Sequence, residues 1–176
     1  MSFYIRMTVT ALVFISITSC GNTMMAKEQN SNEKGVDLPF ETLYSDLNCG
    51  RNDKASAITW MTKKEQLQKF FEMVNKRIIN RTITPPNLDF TKYGALLIEM
   101  GMRRTAGYGM NIGPKPIHIS DGTVDVTVLW KEPTQGTILQ QVITSPCLLI
   151  KLPMKNYTQF NVRDQDGKLR IEKALQ

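Results

Sequence analysis

The chain holds a single histidine, His118, and three cysteines, Cys20, Cys49 and Cys147. Zinc sites take about four Cys/His ligands, or three plus water, so this set leaves little for a zinc site, and no metal or cofactor is expected. A serine or cysteine nucleophile needs a neighbouring base. The only imidazole alternates with Ile117 and Ile119, which points it outward from a strand. The carboxylates closest in sequence, Asp121/Asp125 and Asp164/Asp166, sit at Asp-Gly pairs and read first as turn formers. Asp164-x-Asp166-Gly167 opens like a calcium loop, yet Leu175 stands where such a loop needs its twelfth-position Glu. No Gly-rich phosphate loop is present. No residue is assigned to catalysis, and the sequence argues against an enzyme.

Binding chemistry is better represented. Arg103-Arg104-Thr105-Ala106-Gly107-Tyr108-Gly109 places two cations, two glycines and an aromatic between strands. One reading is a bend, with Gly107 and Gly109 supplying unusual backbone angles and Tyr108 packing back on the sheet. The other is a protruding edge that docks a partner, since Arg and Tyr dominate binding hot spots. Arg103, Arg104 and Tyr108 are the candidate partner-binding residues.

Cys20 has a different role. Residues 1–20 hold one charge, Arg6, followed by an apolar run from Met7 to Ile17 broken by Thr8, Thr10 and Ser16. That is the layout of a secretory signal, too short for a convincing transmembrane anchor. Ile17-Thr18-Ser19-Cys20 resembles a bacterial lipobox, which implies a signal peptide over 1–19 and acylation of Cys20. Several acyl chains hold firmly where one holds weakly. Gly21 follows, with no Asp to suggest inner-membrane retention, so the expected place is the bacterial cell envelope, outer membrane favoured. The polar stretch to Asp37 lacks an apolar period and reads as a tether over 20–37. The domain is expected over 38–176. The formal charge of +6 is spread without a block of like charges, which reads as solvated surface rather than a nucleic-acid site.

The elements that must position these residues follow from periodicity. Thr62 and Glu65 have the spacing of a capping box. Leu67, Phe70, Phe71, Val74 and Ile78 then form one stripe, so an amphipathic helix is predicted over about 63–79. Pro85-Pro86 prevents continuation. Leu96, Ile98, Met100 and Met102 alternate. Asp121-Gly122 between Ile117/Ile119 and Val124/Val126/Val128/Trp130 is a strong hairpin signal. Further strands are expected at Ile138–Val142, at Leu148–Leu152, and around Asp166-Gly167, with weaker ones at 39–45 and 55–60. The predicted class is α+β, one main helix packed on a mainly antiparallel sheet, sandwich or small barrel. Cys49 and Cys147 either form a disulfide, as exported domains favour, or remain two buried thiols; the pairing is the reading adopted.

The segment from Asp89-Phe90, through a strand ending at Gly101, Arg104-Thr105-Ala106-Gly107-Tyr108, Trp130-Lys131-Glu132-Pro133 and Gln141–Pro146 to Pro153, resembles the PrcB-type C-terminal domain. That family is named for a lipoprotein subunit that stabilises a surface protease complex. Its turn is roughly TGGY; Ala106 replaces the first Gly, and Cys147 stands where an aromatic is common. The resemblance covers about 89–153. It implies a non-enzymatic module that binds another envelope protein and helps an exported protease mature or stay folded. The second reading is a small-molecule or glycan pocket between helix and sheet, lined by Trp60, Trp130 and methionines.

Overall fold

Strict alternation of inward and outward side chains builds most of this molecule. A computed structural model describes residues 35–77 and 82–175, all within the unit Glu33–Gln176. In chain order the elements are β1 (Val36–Leu38), β2 (Glu41–Asp46), β3 (Ala57–Met61), α1 (Lys64–Asn75), β4 (Tyr93–Glu99), β5 (Gly109–Ile112), β6 (Ile117–Ser120), β7 (Thr123–Lys131), β8 (Cys147–Pro153), β9 (Gln159–Arg163) and β10 (Leu169–Ala174). Two sheets result. One runs β1-β6-β7-β9-β10, with β5 also on β7; the other runs β2-β8-β4-β3. The expected signal peptide, Cys20 and most of the expected tether lie outside the described residues.

The expected α+β class is overturned. The described chain is 44% strand and 9% helical, in two sheets with one short helix. Val124, Val126, Val128, Trp130, Phe160 and Val162 of one sheet meet Leu96, Ile98, Leu148, Ile150 and Leu152 of the other in the main core. Sheet-on-sheet packing of this kind is a sandwich. The opposite face of the smaller sheet, with Ala95, Leu97 and Leu149, is covered by Leu67, Phe70, Phe71 and Val74. Burial on both faces explains why Ala95–Ile98 and Cys147–Ile150 are unbroken apolar runs rather than alternating ones.

Local details also shift. The helix starts one residue later than the Thr62 cap implied. The Gln66 side chain, not Glu65, reaches back, accepting the N–H groups of Thr62 (2.9 Å) and Lys63 (3.1 Å). The helix ends at Asn75, and the predicted last turn falls partly on residues outside the description. No strand forms over Ile138–Val142. β1 includes Val36 and Asp37, which the sequence reading gave to the tether.

β7 is the spine of the larger sheet. Its first half pairs with β6 across the Asp121-Gly122 turn, where Asp121 adopts φ 48°. Its second half pairs with β5, Gly109 opposite Lys131. Between them lies Pro114-Lys115-Pro116; proline lacks the N–H a ladder needs, so the pairing breaks there. β9 joins β7 in parallel, Val124 beside Phe160.

Candidate protein-docking groove

The 103–109 segment is held from below. Arg103 exchanges backbone hydrogen bonds with Thr144 (2.7 and 2.9 Å), and the Ala106 N–H donates to the Gln140 carbonyl (3.0 Å). Gly107 takes φ +95°, and a β-carbon there would lie 3.1 Å from Pro133 Cγ and 3.4 Å from Leu139 Cδ2. Glycine is needed both for that angle and for that approach.

The three candidate residues have separate fates. The Arg103 guanidinium is turned inward and donates to the carbonyls of Lys54 (3.0 Å) and Met100 (2.6 Å). It also lies 5.5 Å from the centroid of the Tyr108 ring, within cation–π range. Tyr108 is half-buried and packs against the main core. Arg104 is exposed. Arg103 thus orients Tyr108, while Arg104 faces solvent.

Beside Tyr108 the surface is concave. A groove of about 600 Å³ is lined by Ser45, Asp46 and Leu47 from the end of β2, by Gly107–Asn111, and by Leu129 and Lys131 of β7. Its floor is low because Gly109 has no side chain; a β-carbon would find Leu47 Cδ2 at 3.6 Å and Lys131 Cβ at 4.0 Å. Leu47 is 56% exposed and Leu129 44%. Residue-type reasoning at the loop missed both leucines. One signal was available: Leu129 is the apolar residue among the outward positions Thr123, Asp125, Thr127, Leu129 and Lys131 of β7.

Cys49 and Cys147 form the disulfide, with Cα atoms 5.9 Å apart and both side chains fully buried. It ties the segment after β2 to the start of β8, directly beneath the groove's β2 wall.

Elsewhere the structure settles several side chains. His118 Nδ1 lies 2.6 Å from Asp37 Oδ1, and both are exposed on the outer face of the larger sheet. Asp125, across from His118, accepts from Arg163 Nε at 3.0 Å. Asp164 accepts the N–H groups of Asp166 (3.0 Å) and Lys168 (2.9 Å) and the Nε of Arg170 (2.7 Å). Burial works to raise its pKa, but those hydrogen bonds prevail and hold it below the usual carboxylate range. Among the described residues, no three His, Cys, Asp or Glu side chains converge as a metal site, and no helix is long and apolar enough to cross a membrane.

A second groove, about 730 Å³, runs between α1 and the β3–β4 face, past Met61, Phe70, Met73, Arg51 and Glu99. Neither tryptophan lines it. Trp60 packs edge-on against Tyr157 and at a tilt against Phe160, ring centroids 5.4 Å apart in both pairs. Trp130 is buried, donating its Nε1 hydrogen to Glu132 at 3.1 Å.

The loop that frames the groove, and the groove's walls at Gly107–Asn111, Leu129 and Lys131, fall within a stretch recognised by comparison, while its β2 wall at Ser45–Leu47 does not. Residues 95–153 match the family described as PrcB C-terminal. The PrcB-like stretch takes in β4 through β8, the 103–109 turn, Leu129 and the 133–146 connection, while β1–β3, α1, β9 and β10 lie outside it. The domain that names that family is an accessory one rather than a known catalytic one. Comparison with curated proteins and with solved structures returns no match.

Proposed function

We propose that this protein is a lipid-anchored component of the bacterial envelope that docks another exported protein noncovalently, as an accessory module to a protease or other surface complex. Cys20 carries the lipid, and residues 21–35 lead to β1. The groove between Leu47, Tyr108 and Leu129 takes the partner. The observation that carries this reading is the pairing of exposed leucines with a half-buried tyrosine in one concavity, of which Tyr108 and Leu129 belong to the PrcB-like stretch. Apolar surface left open beside an aromatic is the composition of an interface core. Arg104 and Lys131 supply charge at the rim, where it steers encounter more than it adds affinity.

The test is to substitute the groove without disturbing the fold. Gly109→Val places a side chain where ordinary contacts await it, and Leu129→Asp puts a charge on the wall. The lipidated protein, chemically crosslinked in native cells, is recovered with each variant. Co-recovery of one exported protein should fall at least about tenfold for both, while unfolding temperature stays within a few degrees. Unchanged co-recovery removes the groove as the docking site. Release of the full-length protein from membranes by Cys20→Ser tests the anchor separately.

A further inference from the structure

The connection from β7 to β8 is a tied apolar finger. Thr137 N–H donates to the Thr134 carbonyl at 3.2 Å, and Gly136 takes φ +82°. Those features define a tight turn of the kind that places glycine third. Both limbs beneath it converge on one residue: Pro133 and Leu139 flank Gly107. The returning limb is then bonded to 103–106 at Gln140 and Thr144. Above this base Ile138 is 99% exposed, and along the tied limb Ile143 is 64% and Val142 41% exposed. A loop fixed at its root loses little conformational freedom when it binds.

We propose that this finger inserts Ile138 into an uncharged, apolar cleft of the docked protein, so that the partner is held by two adjacent features, a groove that receives and a finger that is received. The inference rests on the docking reading above. Two observations choose a protein over a bilayer as the occupant. From Pro133 to Ile150 there is no Asp, Glu, Lys or Arg, whereas segments that lie in a membrane interface carry basic residues beside their apolar face. The finger also stands far from the chain's entry. Val36 pairs with Ile119 at the level of Val124, while the finger leaves from the Lys131 end of β7. At ~3.3 Å per residue the two levels are about 23 Å apart. The end of the sheet that receives the chain is therefore opposite the end that presents Ile138.

A photo-crosslinking amino acid placed at 138, at 108 and, as a control, at 155 of the full-length lipidated protein in native cells tests this. Positions 138 and 108 should label the same exported protein, the 138 adduct mapping to apolar residues of a cleft. Ile138→Asp should cut the 108 adduct at least about tenfold, and Ile138→Leu should keep it within about twofold, as expected for an apolar hot spot. Phospholipid adducts at 138, or a 138 yield no higher than at 155, with the 108 adduct intact, would overturn the finger and leave the groove standing. Absence of a protein adduct at both 138 and 108 would overturn both.

Discussion

The guanidinium of Arg103 stands 5.5 Å from the centre of the Tyr108 ring while its two terminal nitrogens are bonded to the carbonyls of Lys54 and Met100. One arginine therefore joins the strand before it, the loop below it and the aromatic wall of the groove. Its neighbour Arg104, one residue on, is exposed. Two adjacent residues of the same type thus do different work.

The first prediction separates them. Arg103→Ala removes one exposed and one part-buried hydrogen bond, leaving the Met100 carbonyl only its Ser56 donor, and frees the Tyr108 ring; lost charged hydrogen bonds cost about 1.5–3 kcal/mol each, less where water refills. Stability should drop by about 2 kcal/mol, read as a shifted denaturant midpoint. Arg104→Ala should change it by less than about 0.5 kcal/mol, the range of ordinary surface substitutions. Equal losses would mean that Arg104 is also built into the fold.

The second concerns the covalent tie. Cys49 and Cys147 are 98 residues apart and wholly buried. Closing a loop of about 100 residues is worth roughly 4–5 kcal/mol in the chain-entropy model. The double substitution Cys49→Ala/Cys147→Ala should lower stability by about 2–5 kcal/mol, and reducing agent should lower the wild type and leave the double variant unmoved. Reduction without effect on the wild type would show the bond unformed in solution.

Both the disulfide and the Asp121-Gly122 hairpin could be read from the chain because each follows from local chemistry or residue scarcity. The hairpin needs only a turn that favours positive φ and two alternating runs. What could not be read is which strands share a sheet. β7 lies parallel to β9 across more than 30 residues of chain, and nothing in either strand names the other. That is why one stripe of apolar residues suggested a main helix, when most burial is sheet on sheet. The alternation of Ile138, Gln140 and Val142 misled for a related reason: period two marks extended backbone, and this segment is held along 103–106 without a sheet behind it. Leu47 became part of a site only through the nearness of β2 to β5, a contact between segments remote in sequence, with Ser45 Oγ 3.4 Å from the Met110 carbonyl.

A third prediction follows from the part-buried pair beside α1. Arg51 Nη1 lies 3.2 Å from Glu99 Oε2, and Glu99 is almost fully buried. Burial raises the Glu99 pKa above its ordinary value, and Arg51 offsets part of that. A raised carboxyl binds its proton more readily folded than unfolded, so this group favours the native state as pH falls through its folded pKa towards the unfolded value of 4.5. Above that window its ionisation works against the fold. Glu99→Gln should therefore match or exceed the wild type at pH 7 and lose this contribution on acidification. Arg51→Met should cost about 1–3 kcal/mol by leaving the carboxylate unpaired, and Arg51→Met/Glu99→Gln should recover most of it. Additive losses in the double variant would show that the pair does not couple.

The last prediction rests on Gly94, which pairs with Leu152 near the start of β4 and lies under the Trp60 indole. A β-carbon at 94 would fall inside the ring's van der Waals surface. Trp60 cannot simply lift away, because its other contacts are Tyr157 and Phe160, each at 5.4 Å. Gly94→Ala should therefore push the indole out of that cluster, at a cost of about 1–3 kcal/mol, the usual range for overpacking. The displacement should also change the tryptophan fluorescence, since Trp130 stays where it is. Trp60→Leu should lose packing on its own, yet Gly94→Ala should cost almost nothing in that background, because the atoms it would strike are gone. If the alanine is equally costly with and without the indole, the clash lies with the backbone of β4 and the stacked ring is not what requires glycine there.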